Sequence, residues 1–182
     1  MRIIAGEARN RKIKTRKGFD TRPTLESVKE SLFSIITPYL EECLFLDLFS
    51  GSGSIALEAI SRGAKRAIMI EKDSEALRYI IENIDSLGFA DKCRAYKNDA
   101  ARAIEILGRK NEKFDIIFMD PPYQDEVCKK ILKEIQKADI LAENGLIICE
   151  HHLYENLENE IAGFRKTDER KYNKKILTFY TK

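Results

Sequence analysis

The stretch Asp120-Pro121-Pro122-Tyr123 closes an apolar run, Ile116-Ile117-Phe118-Met119. It groups the parts needed to hold a planar amine. The Asp120 carboxylate accepts one N–H, and the Pro121 carbonyl supplies a second acceptor. The prolines fix φ and hold both acceptors still. The Tyr123 ring can stack on a base, an interaction of ~1–3 kcal/mol per base. The lone pair of an exocyclic amine is conjugated into its ring and is weakly nucleophilic. Two acceptors on its two N–H groups favour a pyramidal nitrogen and aim the lone pair at an electrophile. Charge grows on nitrogen as the bond forms, so the carboxylate stabilises the transition state more than the ground state. A base gripped in this way must first leave its stack. The plainer alternative is a rigid loop whose aspartate caps the next helix.

A second group of residues stands about seventy positions earlier in Leu46-Asp47-Leu48-Phe49-Ser50-Gly51-Ser52-Gly53-Ser54-Ile55-Ala56. Gly51 and Gly53 let the chain turn sharply and approach a ligand closely, and Ala56 is small where a helix would meet a strand. Glu71 follows Gly51 by twenty residues, at the end of the next apolar run. A carboxylate there can hold both hydroxyls of a ribose. This spacing points to a nucleoside-containing cofactor, with NAD and S-adenosylmethionine both open. Asp47 favours the second, because a carboxylate within the strand could meet a cationic group. Asp99 is a third acid at a strand end, and it also suits the N-cap of a following helix.

The surrounding pattern supplies the frame. Apolar runs at 44–49, 66–71, 93–99, 114–120 and 145–150 alternate with helical patterns at 54–63, 73–88, 100–108 and 125–138. Strands apolar on both faces, alternating with helices, imply a parallel sheet covered on both sides. All their carboxyl ends then share one edge, where ligands gather. In the helix after Asp73, Leu77, Ile80, Ile81, Ile84 and Leu87 form one stripe. The segment 163–181 reads as a closing antiparallel hairpin. Ahead of the core, 2–16 suggests a small hairpin. A helix follows, with Thr24 as N-cap and Leu25, Val28, Leu32, Ile35 and Ile36 at helical spacing.

The net charge of +2 conceals an uneven distribution. Residues 1–24 hold eight basic side chains against Glu7 and Asp20, and 165–182 hold seven against two, so the middle is acidic. Two basic ends suit a polyanion, although solvated surfaces would look the same. The four cysteines, Cys43, Cys93, Cys128 and Cys149, have no paired spacing, which favours free thiols in a reducing compartment. His151 and His152 are neighbours and point different ways, so no metal site is expected. No apolar stretch nears the ~20 residues that span a bilayer, and the N-terminus shows no secretory h-region.

The order of these segments resembles a known family. "RIIAGEARNRKI", "RPTLESVKESLFSII", "LDLFSGSGSIALEAISRGA", "IEKD", "ND" and "FDIIFMDPPY" together resemble the RsmD family of class I S-adenosylmethionine-dependent methyltransferases, and the likeness covers nearly the whole chain. The resemblance implies methylation of a guanine N2 amine in small-subunit (16S) ribosomal RNA, within an assembling subunit, and a cytoplasmic location. It implies a Rossmann-like, mostly parallel seven-stranded α/β sheet with a C-terminal antiparallel hairpin. Residues 1–40 would form a basic hairpin-and-helix extension, and 41–182 the methyltransferase domain. By the same resemblance, Asp47, Phe49, Ser50, Gly51 and Gly53 line the cofactor, Glu71 and Lys72 its ribose side, and Asp99 and Ala100 its adenine side. Asp120, Pro121, Pro122 and Tyr123 hold the guanine. Arg22, with Pro23 and Thr24, matches a family motif near the cofactor and RNA entrance, and the charge of the N-terminal segment adds Arg9, Arg11, Lys12, Lys14 and Arg16 as expected RNA contacts. The chain departs from the family at Asn173, where many members have glycine after the tyrosine. A DNA adenine-N6 methyltransferase would share the four-residue signature but usually needs a separate DNA-reading module. An NAD(P) oxidoreductase would explain the glycine loop and leave Asp120-Tyr123 without a role. A non-catalytic RNA-binding protein would explain only the basic ends.

Overall fold

The structure, a computed structural model, describes residues 1–15, 23–122 and 126–182. The chain runs α1 (Pro23–Ile36), a single 3-10 turn (Thr37–Tyr39), β1 (Leu44–Asp47), α2 (Ser54–Ser61), β2 (Arg66–Glu71), α3 (Ser74–Leu87), β3 (Cys93–Lys97), α4 (Ala100–Arg109), β4 (Phe114–Met119), α5 (Val127–Ala138), β5 (Leu141–His152), β6 (Glu160–Ile161), β7 (Phe164–Tyr172) and β8 (Lys175–Thr181). One sheet contains all of these strands in the order β3-β2-β1-β4-β5-β8-β7-β6. Strands β1 to β5 are parallel, and β8, β7 and β6 are antiparallel additions. The expected parallel sheet with a closing hairpin is present. Its eighth strand, β6, is an edge segment of two residues pairing with β7.

Both faces of the inner parallel strands are buried, and alternate residues go to opposite layers, whereas the edge strand β3 is largely exposed after Cys93. Phe45, Met69, Ile116, Phe118 and Ile148 pack with α1, α2 and α3. Leu46, Ile68, Ile117, Met119 and Cys149 pack with α4 and α5. The chain winds from β1 outward to β3 and then returns to β4 on the other side of β1. That reversal opens a crevice at the carboxyl ends of β1 and β4, the usual ligand position in such sheets.

Three local expectations change. Helix α1 spans Pro23–Ile36, so Thr24 lies inside the helix rather than capping it. In α3, Ile81 is exposed and Asn83 is buried in its place. Strand β5 begins at Leu141 rather than Gly145, because the β4–β5 register shifts between Phe114 and Ile116 and absorbs the polar residues before Gly145. Asp73 caps α3 as expected, accepting from Ala76 N–H at 2.8 Å, and Gly88 ends that helix at φ 76°.

The N-terminal hairpin is reduced to one bridge, Arg2 with Lys12, flanked by backbone bonds between 1–3 and 10–13. A buried polar knot holds it down. Glu58 of α2 is fully buried and accepts from Ile4 N–H at 2.8 Å, Ala5 N–H at 2.9 Å, Lys29 Nζ at 3.0 Å and Arg62 Nε at 2.8 Å. Burial alone would raise the Glu58 carboxyl pKa, but Lys29 and these donors hold it below the usual range. Gly6 has φ 81°, and a Cβ there would lie 1.7 Å from the Ser61 carbonyl oxygen. The segment therefore packs where only glycine fits.

Candidate active site

Strand parity sets the site. Asp47 and Glu71 stand two residues after Phe45 and Met69, and Glu150 two after Ile148, so all three face the α1–α3 layer. Cys149 pairs with Met119 across β4 and β5, which brings Glu150 level with Asp120. Because β8 is antiparallel to β5, its first residue, Lys175, pairs with His152 at the same carboxyl edge.

The loop between β1 and α2 is held by backbone bonds to both neighbouring strands. Leu48 N–H donates to Phe118 O and Ser50 N–H to Ile70 O, each at 3.0 Å. Gly51 and Gly53 have φ 55° and 78°. A Cβ on Gly53 would lie 3.1 Å from Met69 Sδ, so glycine here serves both a left-handed turn and a close approach to β2. Glu71 Oε2 accepts from Gly51 N–H and Oε1 from Asp73 N–H, both at 2.8 Å. It thus ties the first two loops together, and each oxygen keeps a further acceptor position for a hydroxyl.

Asp47 is 1% exposed. Its Oδ1 accepts from Phe49 N–H at 3.3 Å, and its own carbonyl takes the Ser50 hydroxyl at 3.0 Å. Burial pushes its pKa up to about 7, against the opposing pull of Phe49 N–H and Ser50; the charges of Asp120 and Glu71 raise it further. A buried acid so weakly compensated is suited to a cationic partner.

Asp120, directly after β4, is half-buried, and its Oδ2 lies 3.5 Å from Lys175 Nζ. Lys175 also pairs with the buried Glu150. Burial and the Glu150 charge raise the Asp120 pKa, and Lys175 opposes them. A cavity of about 680 Å³ joins the two halves. Asp47, Phe49, Ser50, Gly51 and Lys72 line it, together with Asp120, Pro122, Glu150 and Lys175. The N-terminal part contributes Met1, Thr15, Glu26 and Lys29 to the same wall.

Other expected residues fall elsewhere. Gly53 and Pro121 are buried beneath the cavity wall. Asp99 is exposed and caps α4, its Oδ1 accepting from Ala101 N–H at 3.0 Å and Arg102 N–H at 3.4 Å. Ala100 is buried beside it, and neither lines the cavity. Tyr123, Arg16 and Arg22 lie outside the described residues. Arg9, Arg11, Lys12 and Lys14 are exposed along the N-terminal segment. Arg11 donates to the Ser86 carbonyl, and Lys14 Nζ pairs with Glu82 Oε2 at 2.9 Å. His151 is buried and bonds Thr178 Oγ1 at 2.8 Å, a structural role. Among the described residues, no cluster of three or more His, Cys, Asp or Glu could hold a metal, and no helix is long and apolar enough to cross a membrane.

Sequence reasoning missed Glu150 and Lys175. Glu150 had a signal, since it ends an apolar run as Glu71 and Asp120 do. Lys175 had none, because only the β5–β8 register carries it to this edge.

The strand order, the glycine loop at the switch point and the acids around one cavity define a class I S-adenosylmethionine-dependent methyltransferase. The family model described as "Conserved hypothetical protein 95" matches residues 1–181, and the chain belongs to this family, the RsmD family. Among curated relatives, "Putative rRNA methyltransferase YlbH" of Bacillus subtilis (strain 168) is 35% identical over 182 residues, covering 100% of this chain and 99% of that protein. "Ribosomal RNA small subunit methyltransferase D" of Escherichia coli (strain K12) is 32% identical over 90% of this chain and 81% of its own length. The solved structure titled "Putative methyltransferase yhhF from Escherichia coli" superposes with a TM-score of 0.88 at 29% identity, covering 99% of this chain and 96% of that one. Asn173 adopts φ 55° between β7 and β8, so the turn is kept.

Proposed function

We propose that this protein methylates the exocyclic N2 amine of a guanine in small-subunit ribosomal RNA, acting in the cytoplasm on RNA within an assembling subunit. The observation that carries the reading is the cavity shared by Asp47 with its glycine loop and by Asp120 with Pro122. S-adenosylmethionine, when bound, supplies a methyl group on a sulfonium. The chain's residues fit such a molecule. Asp47 offers a buried carboxylate to its cationic amino group, Gly51 leaves the backbone open, and Glu71 stands at the ribose position. We assign Lys72 to the same side, and Asp99 and Ala100 to the adenine end through the carboxyl edge of β3.

The acceptor half is built to handle an amine. Asp120 and the Pro121 carbonyl take its two N–H groups, and the carboxylate stabilises the charge that grows on nitrogen. The amine's surplus proton leaves toward Asp120. Tyr123 stacks on the base. RNA helices offer side chains shape and 2′-hydroxyl contacts more readily than base edges, which favours a structured particle as substrate.

The test compares wild type with Asp120→Ala. S-adenosylhomocysteine affinity by calorimetry should stay within about threefold, while methyl transfer to 16S RNA in subunits purified from cells lacking the enzyme falls by about 10²-fold or more. Retained transfer would show that the carboxylate is not the amine's partner. A mass map of methylated nucleotides, with and without the protein, identifies the target.

A further inference from the structure

Lys175, the first residue of β8, stands at the acceptor end of the cavity. By its charge the basic hairpin to which it belongs suits either a polyanion or a solvated surface, yet the Lys175 side chain is 17% exposed and turned into the cavity. Its Nζ lies between two acids, 3.5 Å from Asp120 Oδ2 and paired with Glu150 Oε1. Ordering and desolvating a lysine costs side-chain entropy and hydration, and here that cost is met by two carboxylates on two different strands.

The chemistry explains why a cation belongs there. As the anion, Asp120 offers only acceptors and can take the amine's surplus proton; as the acid, one oxygen carries an O–H and that capacity is lost. Among the described residues, Glu150 from β5 and Lys175 from β8 act on Asp120, Asp47 from the end of β1 feels its charge, and Glu26, Lys29, Lys72 and Asp73 line the same cavity. Lys29 is tied to the buried Glu58, 3.0 Å away. Of the groups that act on Asp120, Lys175 alone favours the anion. We propose that Lys175 keeps Asp120 ionised and turned toward the cavity for the incoming amine, with Glu150 holding the ammonium in place. This rests on the reading of Asp120 as the acceptor carboxylate.

The direction of the Asp120 shift agrees with this arrangement, since Lys175 is what opposes burial and Glu150. The two neighbours therefore act with opposite signs, and the experiment uses that. Carboxyl 13C NMR of the full chain follows the Asp120 titration, assigned by the resonance that disappears in Asp120→Asn. Lys175→Met should raise the midpoint by about one pH unit or more, the size expected when an opposite charge nearby is removed. Glu150→Gln should lower it, and Lys175→Arg should leave it near wild type. Where Lys175→Met fails to fold, the double variant Lys175→Met/Glu150→Gln is compared with Glu150→Gln alone, and its midpoint should again be higher. A midpoint that ignores the lysine in either comparison makes Lys175 a strut of the hairpin and overturns the proposal. The acid limb of kcat/KM for methyl transfer, at saturating cofactor, should move with the midpoint in each variant. A midpoint that moves while the limb stays fixed leaves the Lys175–Asp120 coupling intact and overturns the acceptor role of Asp120.

Discussion

At the scale of single residues, the site is a set of acids whose surroundings differ. Glu71 is committed to two backbone N–H groups at 2.8 Å, whereas Asp47 is buried with one long bond of 3.3 Å. Burial raises the Asp47 pKa to about 7. The native state therefore binds this proton more tightly than the unfolded chain does. Ionising Asp47 costs stability as pH rises from the ordinary carboxylate range toward 7, and a cationic ligand offsets that cost. Cofactor binding should consequently expel one proton. S-adenosylhomocysteine affinity is expected to weaken about tenfold per pH unit as pH falls below about 7, the slope of a one-proton linkage. Asp47→Asn should bind more weakly at pH 8 and lose this slope. Calorimetry in buffers of differing ionisation heat measures both the affinity and the proton count; the same slope in Asp47→Asn would place the titrating group elsewhere.

At the scale of elements, the N-terminal segment depends on one buried acid. Glu58 receives two backbone N–H groups from residues 4 and 5, the Lys29 ammonium and the Arg62 guanidinium. Glu58→Ala should lose about 3–5 kcal/mol in urea unfolding, because Lys29 is left buried without its partner. A destabilisation under about 1 kcal/mol would show that water replaces the carboxylate. Much of this level was legible in the sequence. Runs such as Arg66–Glu71 announce strands because both faces are buried, and Asp73 and Gly88 announce the ends of α3 through their local bonding preferences. What was not legible depends on pairing across the sheet. Strand β6 has two residues and no pattern. The first part of β5 is polar because it sits in a bulge. Ile81 fits the α3 stripe by spacing, yet the inward place goes to Asn83, whose amide bonds Lys14 O at 2.9 Å and Ser52 O at 3.1 Å. Lys175 becomes part of the site only through an antiparallel register. For the site itself, the acids at strand ends could be read one by one, but only Asp47 and Asp120 of those read this way line the cavity, while Glu71 braces its loop and Asp99 caps α4.

At the scale of the whole molecule, the basic N-terminal segment lies beside the cavity it helps to enclose. Met1 and Thr15 line that cavity, while Arg9, Arg11, Lys12 and Lys14 are exposed on the same segment. Lys14 is engaged with Glu82, and Arg11 with the Ser86 carbonyl, so both partly serve to dock the segment onto α3. Arg9 and Lys12 are therefore the cleaner probes of RNA binding. Every phosphate neutralised by a basic side chain releases condensed counterions, so the dependence of log affinity on log salt should flatten by about 0.7–0.9 for each phosphate left unneutralised. The double variant Arg9→Glu/Lys12→Glu is expected to bind 16S RNA more weakly at every salt concentration and to lower the slope by about 1.4–1.8. Its thermal unfolding should match wild type, since these side chains lie outside the Glu58 knot. Filter binding from about 50 to about 300 mM salt measures the slope. An unchanged slope would return the segment to a solvated surface and leave RNA docking to the C-terminal hairpin, whose Lys171 and Lys174 are exposed at the same carboxyl edge.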